Sequence, residues 1–355
     1  MNMKEMEIET PALIVDLDEV DYNMAVMSSL LKGSKAQLRP HFKTTKSLYF
    51  VRKQLEAGAK GITCAKLGEA EVLVEAGVPD ILIANQVVQP SKIDRLAFLA
   101  RKTHLTVCVD QAKNILDLEK AAEAADSCIH IYIEFEVGMK RCGVEEFEDF
   151  YRLAKLVTEC EHLSFDGIQA YAGQLSHEED EVKRIQGVKE NEQRLLELKK
   201  YVEERQIPVK EISGCSTGTV VIKAKDNVYT ELQCGSYIFD DATYIDCKVP
   251  FHSALSILTT VISRKSGRMI ADVGVKGMGM DQKPPKVKEY PDSNLVFSEE
   301  HLGLVGEEYS EQIGDKLHVI PGHCCTTINM YDYLYLKRGE EILGRIPIEG
   351  RGKSL

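Results

Sequence analysis

The sequence lacks the features of an exported or membrane-anchored chain. Its first ten residues, MNMKEMEIET, contain no apolar core of the kind found in a secretory signal. No apolar run approaches the roughly 20 residues that a membrane-spanning helix needs. We therefore expect a cytoplasmic protein without a membrane partner.

The sequence also lacks an excess of positive charge. It has 44 lysines and arginines against 56 aspartates and glutamates, a formal net charge of −12. Nucleic acids and anionic membranes attract basic surfaces, so neither is an expected partner. A small-molecule substrate stays open, because a local positive pocket can lie in an acidic protein.

The ten cysteines show no regular spacing that would indicate a disulfide framework. Without a secretory signal, we expect reduced thiols, most of them small core residues. Internal repeats and low-complexity segments are absent too. The length of 355 residues predicts two or three domains, and the 44 % hydrophobic content is ordinary for a globular protein.

Short apolar runs alternate with amphipathic stretches through the first two thirds of the chain. This alternation predicts a closed (β/α)8 barrel of the TIM type, although a doubly wound open sheet fits it equally well. The eight predicted strands are Leu38–Thr44, Gly61–Ala65, Ile81–Asn85, Leu105–Asp110, Ile129–Phe135, Asp166–Ala170, Lys210–Ser213 and Thr230–Gly235. The helices predicted between them include Lys66–Ala76, Ala112–Ala124, Glu145–Thr158 and Glu179–Arg205.

The pattern changes after about Asp246 to short β-rich segments separated by Gly and Pro, which predicts a smaller C-terminal β domain. We place the barrel at residues 10–245 and the β domain at 246–355. The opening strand Ala12–Asp16 lies outside the count of eight and is expected to join the β domain. Met278–Asp292, with two prolines, is predicted to be a surface loop.

A lysine lies at the C-terminal end of the first predicted strand, where barrel enzymes place catalytic groups. This is Lys43, which could form a Schiff base if its surroundings lower its pKa. A lone lysine at a strand end is most often an ordinary surface residue. Arg39, His41 and Lys46 surround this one, and they favour a functional role without proving it.

Two glycine- and hydroxyl-rich turns follow the seventh and eighth predicted strands. They are Ser213–Thr219 and Gly235–Tyr237. Exposed backbone N–H groups and hydroxyls can hold a phosphate, and barrel enzymes often bind phosphate after strands seven and eight. Each turn alone is more often a plain turn, but the two at neighbouring strand ends favour phosphate.

Two further segments could carry chemistry. In Pro321–Thr326, an extended backbone would turn the His323 imidazole and the Cys325 thiol to one face, a pair that suits zinc. A buried histidine with two core cysteines explains the spacing equally well. Arg141, just beyond barrel strand five, could bind an anionic oxygen, although an ordinary loop arginine explains it better on the residues alone.

Together these motifs resemble the D-threonine aldolase and D-serine dehydratase family, relatives of alanine racemase with the fold type III pyridoxal-phosphate (PLP) architecture. The resemblance covers nearly the whole chain. It departs at Thr45, Cys215 and Asp240, where the family usually has His, Gly and Met. The matching residues are Thr10, Pro11, Asp16, Arg39, Pro40, His41, Lys43, Thr44, Lys46, Val137, Gly138, Arg141, Gly143, Gln169, Ala170, Tyr171, Gly173, Gly214–Gly218, Glu231, Gly235, Ser236, Tyr237, Asp241, His323 and Cys325.

The resemblance implies a role for each matched group. Lys43 would carry the cofactor, and Arg141 would lie near its phenolic oxygen. His323 and Cys325 would hold a divalent metal, which their donor atoms predict to be zinc, and His323 would act in catalysis. Other cofactor-binding residues would be His41, Tyr171, Gly214, Ser216, Thr217, Gly218, Gly235, Ser236 and Tyr237. Family members are usually dimers, so we expect a homodimer.

Two lyase reactions fit this resemblance. In β-elimination, Lys43 would remove the Cα proton and zinc would help the β-hydroxyl leave, so that D-serine gives pyruvate and ammonia. In retro-aldol cleavage, D-threonine would give glycine and acetaldehyde. Cys325 favours the D-serine dehydratase type, because family aldolases tend to have Asp there. A non-catalytic PLP-binding protein and a racemase are the alternatives; a racemase needs a second acid/base that the sequence does not reveal.

Overall fold

The computed structural model describes residues 4–306 and 308–355, which form two compact units. The barrel unit comprises Ser28–Lys43, Phe50–Gly235 and Lys353–Leu355. The β unit comprises the residues up to Met27, together with Thr44–Tyr49 and Ser236–Gly352. None of the helices in the described residues is both long and apolar enough to span a lipid bilayer.

The strands and helices of the described residues are numbered in chain order. The strands are β1 (Ala12–Asp16), β2 (Gln37–Leu38), β3 (Ile62–Cys64), β4 (Asp80–Gln86), β5 (His104–Val109), β6 (Ile129–Glu134), β7 (Leu163–Ala170), β8 (Glu211–Gly214), β9 (Glu231–Leu232), β10 (Leu255–Lys265), β11 (Arg268–Ala271), β12 (Lys286–Val287), β13 (Asn294–Phe297), β14 (Leu302–Val305), β15 (Lys316–Ile320), β16 (Tyr333–Arg338) and β17 (Glu341–Pro347). The helices are α1 (Leu17–Leu31), α2 (Leu48–Glu56), α3 (Leu67–Glu75), α4 (Pro90–Leu99), α5 (Ala112–Ala125), α6 (Phe147–Thr158), α7 (Glu181–Glu203), α8 (Val220–Asp226), α9 (Ala242–Asp246) and α10 (Cys324–Ile328).

The barrel unit contains eight parallel strands in the order β2-β9-β8-β7-β6-β5-β4-β3. A parallel bridge between His41 and Thr63 joins the two ends of this order, and the Thr63 N–H donates to the Pro40 carbonyl at 2.9 Å. The closed (β/α)8 barrel is therefore confirmed over the open sheet. Inside it, Leu82, Cys108 and Tyr132 form an apolar layer.

The first barrel strand is shorter than predicted. Regular pairing ends at Leu38, and Phe42–Thr44 forms a 3-10 turn instead of continuing the strand. The turn begins where the Lys43 N–H donates to Nδ1 of His41 at 3.2 Å. Lys43 therefore lies on a turn beyond the strand end.

The β unit is built on a nine-stranded sheet. Its main path runs β13-β14-β11-β10-β1-β16-β17, while β15 pairs with both β10 and β12. Strand β1 lies antiparallel to β10 and parallel to β16. The predicted loop Met278–Asp292 contains β12, which was missed because only Lys286 and Val287 pair with β15.

Candidate active site

Lys43 opens onto a cavity of about 160 Å³ at the C-terminal ends of the barrel strands. Its Nζ lies 5.8 Å from the ring centre of Tyr171, and the Arg141 guanidinium lies 5.7 Å from the same ring centre. The structure thus brings together three predicted residues from distant parts of the sequence. Other lining residues are His41, Asn85, Gln169 and Gln233.

The polar groups of this cavity are held by one another. Gln233 donates through Nε2 to Oε1 of Gln169 at 2.7 Å and to the Ser213 hydroxyl at 2.9 Å. Arg141 lies 3.7 Å from Glu134, whose pKa is raised by burial. Sequence reasoning did not assign Asn85 or Gln233 to the site, because an amide at a strand end carries no distinctive motif.

The predicted phosphate turn follows β8 and contains one strained residue and one unsatisfied hydroxyl. Cys215 takes a left-handed backbone with φ of 77°, a conformation that favours glycine. The Thr217 Oγ1 is buried and has no hydrogen-bond partner within the described part of the chain. Buried hydroxyls are rarely left unpaired, so this one suits an anionic ligand such as a phosphate.

The turn also depends on close backbone contacts. A Cβ on Gly218 would lie 1.9 Å from the Ser176 carbonyl oxygen, and one on Gly214 would lie 2.1 Å from the Ala170 carbonyl oxygen. The sulfurs of Cys215 and Cys234 lie 3.6 Å apart, which places the turn beside the end of β9, next to Gly235. The two predicted turns therefore lie close together at this point, as expected for adjacent parallel strands.

Within the β unit, the other two residues of the second turn make separate contacts. The Ser236 hydroxyl lies 3.8 Å from the Cys325 sulfur. Tyr237 is buried and packs against Phe251 with ring centres 5.8 Å apart.

His323 and Cys325 contact each other, but not for the predicted reason. The condition considered from the sequence, an extended backbone over 323–325, is not met, because His323 is the N-cap of helix α10. The helix starts here because the Asp241 carboxylate accepts from the Cys324 N–H at 2.9 Å. A hydrogen bond between the two side chains still joins His323 to Cys325.

Asp281 orients the His323 ring. Its Oδ2 lies 2.8 Å from His323 Nδ1, and its Oδ1 accepts from the Thr326 hydroxyl at 2.7 Å. Burial lowers the pKa of His323, but Cys325 and the carboxylates of Asp281 and Asp241 raise it to about 9. A carboxylate on Nδ1 leaves Nε2 for a metal, the usual arrangement of a ligating histidine.

Asp241 positions this segment. Its Oδ1 accepts from Thr243 N and Tyr244 N at the start of α9, and its Oδ2 accepts from Cys324 N at the start of α10. One buried carboxylate therefore caps two helices. Sequence reasoning matched Asp241 to a motif but gave it no role, and it missed Asp281, which lies in the predicted loop.

The residues present fit both a phosphorylated aldehyde cofactor and a divalent cation. The cofactor would find an amine at Lys43 and an unpaired hydroxyl at Thr217. The cation would find one imidazole and one thiol, a donor pair that zinc prefers. The Cys325 sulfur is also 3.3 Å from the Thr44 hydroxyl.

The chain matches known families along most of its length. Residues 15–242 match the alanine racemase N-terminal domain, and residues 254–337 match a putative serine dehydratase domain. The chain belongs to the D-threonine aldolase and D-serine dehydratase family. It is thus a PLP-dependent lyase of fold type III, as its sequence motifs predicted.

Several known proteins are similar to this chain along nearly all of its length. A 3-hydroxy-D-aspartate aldolase of Paracoccus denitrificans (strain Pd 1222) is 34% identical over 99% of this chain and 94% of its own. A D-threonine aldolase of Arthrobacter sp is 32% identical over 98% of this chain and 94% of its own length. The crystal structure of D-threonine aldolase from Filomicrobium marinum matches with a TM-score of 0.97 and 32% identity. The match covers 100% of this chain and 98% of that one. A D-threo-3-hydroxyaspartate dehydratase of Delftia sp. (strain HT23) is 26% identical over 91% of this chain and 92% of its own length.

Proposed function

We propose that this lyase cleaves a D-β-hydroxy amino acid between Cα and Cβ, a retro-aldol reaction that gives glycine and an aldehyde. The observation that carries the proposal is the whole-chain similarity to D-threonine aldolase, at a TM-score of 0.97 and 32% identity. Two relatives named as dehydratases are less similar, at 26% and 23% identity. The substrates we propose are D-threonine and 3-hydroxy-D-aspartate.

When bound, PLP supplies an electron sink for the charge that develops at the substrate Cα. The Lys43 amine would hold the cofactor and afterwards move a proton to or from Cα. Tyr171 contacts both Lys43 and Arg141, so it would fix the direction from which this amine acts. Thr217, with Gly214, Ser216, Gly218 and Gly235, would bind the phosphate.

His323 and Cys325 would hold one divalent cation, which supplies a Lewis acid for the substrate's β-hydroxyl. Asp281 contacts Nδ1 of His323, so Nε2 would be the nitrogen that binds the cation. Asp241 accepts from the Cys324 N–H and so fixes the backbone between the two ligands. Two protein ligands leave positions open on a tetrahedral ion, which is the pattern of a catalytic rather than a structural site. Zinc is the cation that the thiol favours.

β-Elimination is the second candidate, and Cys325 is the residue that favours it. The thiol occupies the position where family aldolases tend to have Asp. In this reaction the same groups would act, but the β-hydroxyl would leave, and D-serine would give pyruvate and ammonia.

Product analysis tests the proposal. The zinc- and PLP-loaded enzyme is incubated with D-threonine, D-serine and both diastereomers of 3-hydroxy-D-aspartate, with Lys43→Ala as control. We expect glycine and an aldehyde in a one-to-one ratio. The aldehyde should be acetaldehyde from D-threonine and glyoxylate from 3-hydroxy-D-aspartate. A 2-oxo acid with ammonia, and no glycine, would replace the proposal with β-elimination; no product from any substrate would overturn both.

A further inference from the structure

Two histidines and an aspartate meet at the N-terminal end of the barrel strands, at the mouth opposite the Lys43 cavity. His104 is the first residue of β5, His130 is the second residue of β6, and Asp166 lies in β7. Each offers one ligand atom, and these atoms all lie within 4.8 Å of one another. From this cluster we infer a second metal site, which binds zinc through His104, His130 and Asp166.

The orientation of His104 favours a metal site. Its Nδ1 lies 3.1 Å from Oδ1 of Asp80, and Arg39 holds Asp80 with hydrogen bonds of 2.7 and 3.0 Å. A carboxylate on Nδ1 leaves Nε2 as the lone-pair nitrogen, which is how histidine ligands of zinc are usually fixed. Arg39 is buried, and its two hydrogen bonds hold the Asp80 carboxylate beside His104.

The two carboxylate oxygens of Asp166 contact different groups. Lys210 and Ser164 both donate to Oδ1, at 2.6 and 3.2 Å. The other oxygen, Oδ2, lies 2.5 Å from Nδ1 of His130. A metal would replace the proton between these two atoms, while Lys210 and Ser164 keep the carboxylate in place.

A buried threonine hydroxyl lies beside the cluster. Thr106 is buried, and its Oγ1 has no hydrogen-bond partner among residues 4–306 and 308–355. Thr106 pairs with His130 in the β5–β6 register, and the next pair on this face, Cys108 and Tyr132, packs inside the barrel. Thr106 therefore faces the same interior as the histidines, where a water on the metal's fourth position would satisfy its hydroxyl.

The two rings are already side by side, with centres 3.8 Å apart. Two imidazoles and one carboxylate, with an open fourth position, suit zinc. The ion would tie together β5, β6 and β7. It would be separate from the His323–Cys325 pair, because none of its ligands is shared with that pair.

Zinc titration of the metal-stripped, PLP-loaded protein tests this inference. We expect the wild type to take two zinc ions per chain and His104→Asn to take one. His162→Asn is the matched control, since His162 also contacts a carboxylate (Glu119, at 3.0 Å) but is not part of a three-ligand cluster in the described residues. The control should take two. Equal uptake by His104→Asn and the wild type would overturn the inference.

Cobalt(II) as a probe separates the two sites. At the His104 site it should show no sulfur-to-metal charge-transfer band, whereas at the His323–Cys325 pair it should show one. His323→Asn should therefore lose the band and keep one ion, and His104→Asn should keep the band and full lyase activity. If His323→Asn binds no ion, the inference is wrong while the proposed function stands; if only the His104-dependent ion binds, the inference stands and the proposed metal pair is wrong. His130→Asn repeats the test with a second ligand.

Discussion

The hydroxyl oxygen of Thr44 lies 3.3 Å from the sulfur of Cys325. Thr44 follows Lys43 directly in the chain, so the residue next to the proposed cofactor lysine contacts a proposed metal ligand. Ser236 approaches the same sulfur at 3.8 Å. Two hydroxyls therefore lie beside the Cys325 thiol, where they can donate to a thiolate.

Removing the Thr44 hydroxyl should weaken metal binding. Thr44→Val keeps the shape of the buried side chain but removes one of the hydroxyls beside Cys325. Loss of a group that contacts a metal ligand typically lowers metal affinity by about 10- to 100-fold. We expect a loss of roughly 10-fold in zinc affinity, measured by competition with a chelating dye. Thr44→Ser, which keeps the hydroxyl, is the control, and equal losses in both variants would contradict this role.

Borohydride should fix the cofactor on Lys43. The purified protein should be yellow, and reduction should leave a stable adduct that peptide mapping assigns to Lys43 and not to Lys46. Lys46 instead donates from Nζ to the Gly350 carbonyl at 3.1 Å. Lys43→Ala should lose activity but remain folded by circular dichroism. An adduct on another lysine would contradict the assignment of Lys43 as the cofactor-binding residue.

Chelation of the metal should abolish turnover without unfolding the protein. Two ligands, one at the N-cap and one in the first turn of a short helix, leave the cation in an open site, which contributes more to chemistry than to folding. PLP absorbance should be nearly unchanged, the protein should stay folded by circular dichroism, and zinc should restore activity. Cys325→Asp should shift the metal preference toward manganese. Full activity after chelation, or unfolding, would make the catalytic-metal account wrong.

Asp240 should destabilise the protein as the pH rises. Burial, together with the neighbouring Asp241 carboxylate, raises the pKa of Asp240 to about 8, against about 3.9 for an unfolded aspartate. The unfolded chain therefore releases a proton that the folded chain keeps. This group's stabilising contribution is complete below about pH 4 and is lost as the pH rises toward 8.

Asp240→Asn should remove this loss. Asparagine tolerates the left-handed backbone at this position, where φ is 55°. Urea unfolding at pH 5 and pH 8 should show the variant gaining about 2 to 5 kcal/mol over the wild type between the two pH values. Asp292→Asn, at an exposed position, makes the same charge change and should leave the difference unaltered. A variant that is less stable at pH 8 would refute the assignment.

The sequence predicted the barrel well because buried parallel strands leave a strong apolar signal. All eight strands were found, and α5 begins at Ala112 as expected and ends one residue later, at Ala125. The first strand was overestimated because a 3-10 turn at Phe42–Thr44 is stabilised by a side-chain contact from His41 that periodicity does not reveal.

The candidate site was predicted where motifs mark it and missed where long-range contacts build it. Lys43, Arg141 and Tyr171 stand in recognisable motifs, and they meet around one cavity. Asp281 gave no signal, because its carboxylate acquires a role only when the loop brings it to His323. The helical start at Cys324 likewise depends on Asp241, 83 residues away.

Discrimination between enantiomers tests the central claim most directly. The zinc- and PLP-loaded enzyme is given racemic threonine and racemic 3-hydroxyaspartate, and chiral chromatography follows each enantiomer. A lyase for D-β-hydroxy amino acids should consume the D enantiomers and leave the L enantiomers untouched, with no turnover by Lys43→Ala. Equal consumption of both enantiomers, or consumption of the L enantiomers alone, would contradict the account.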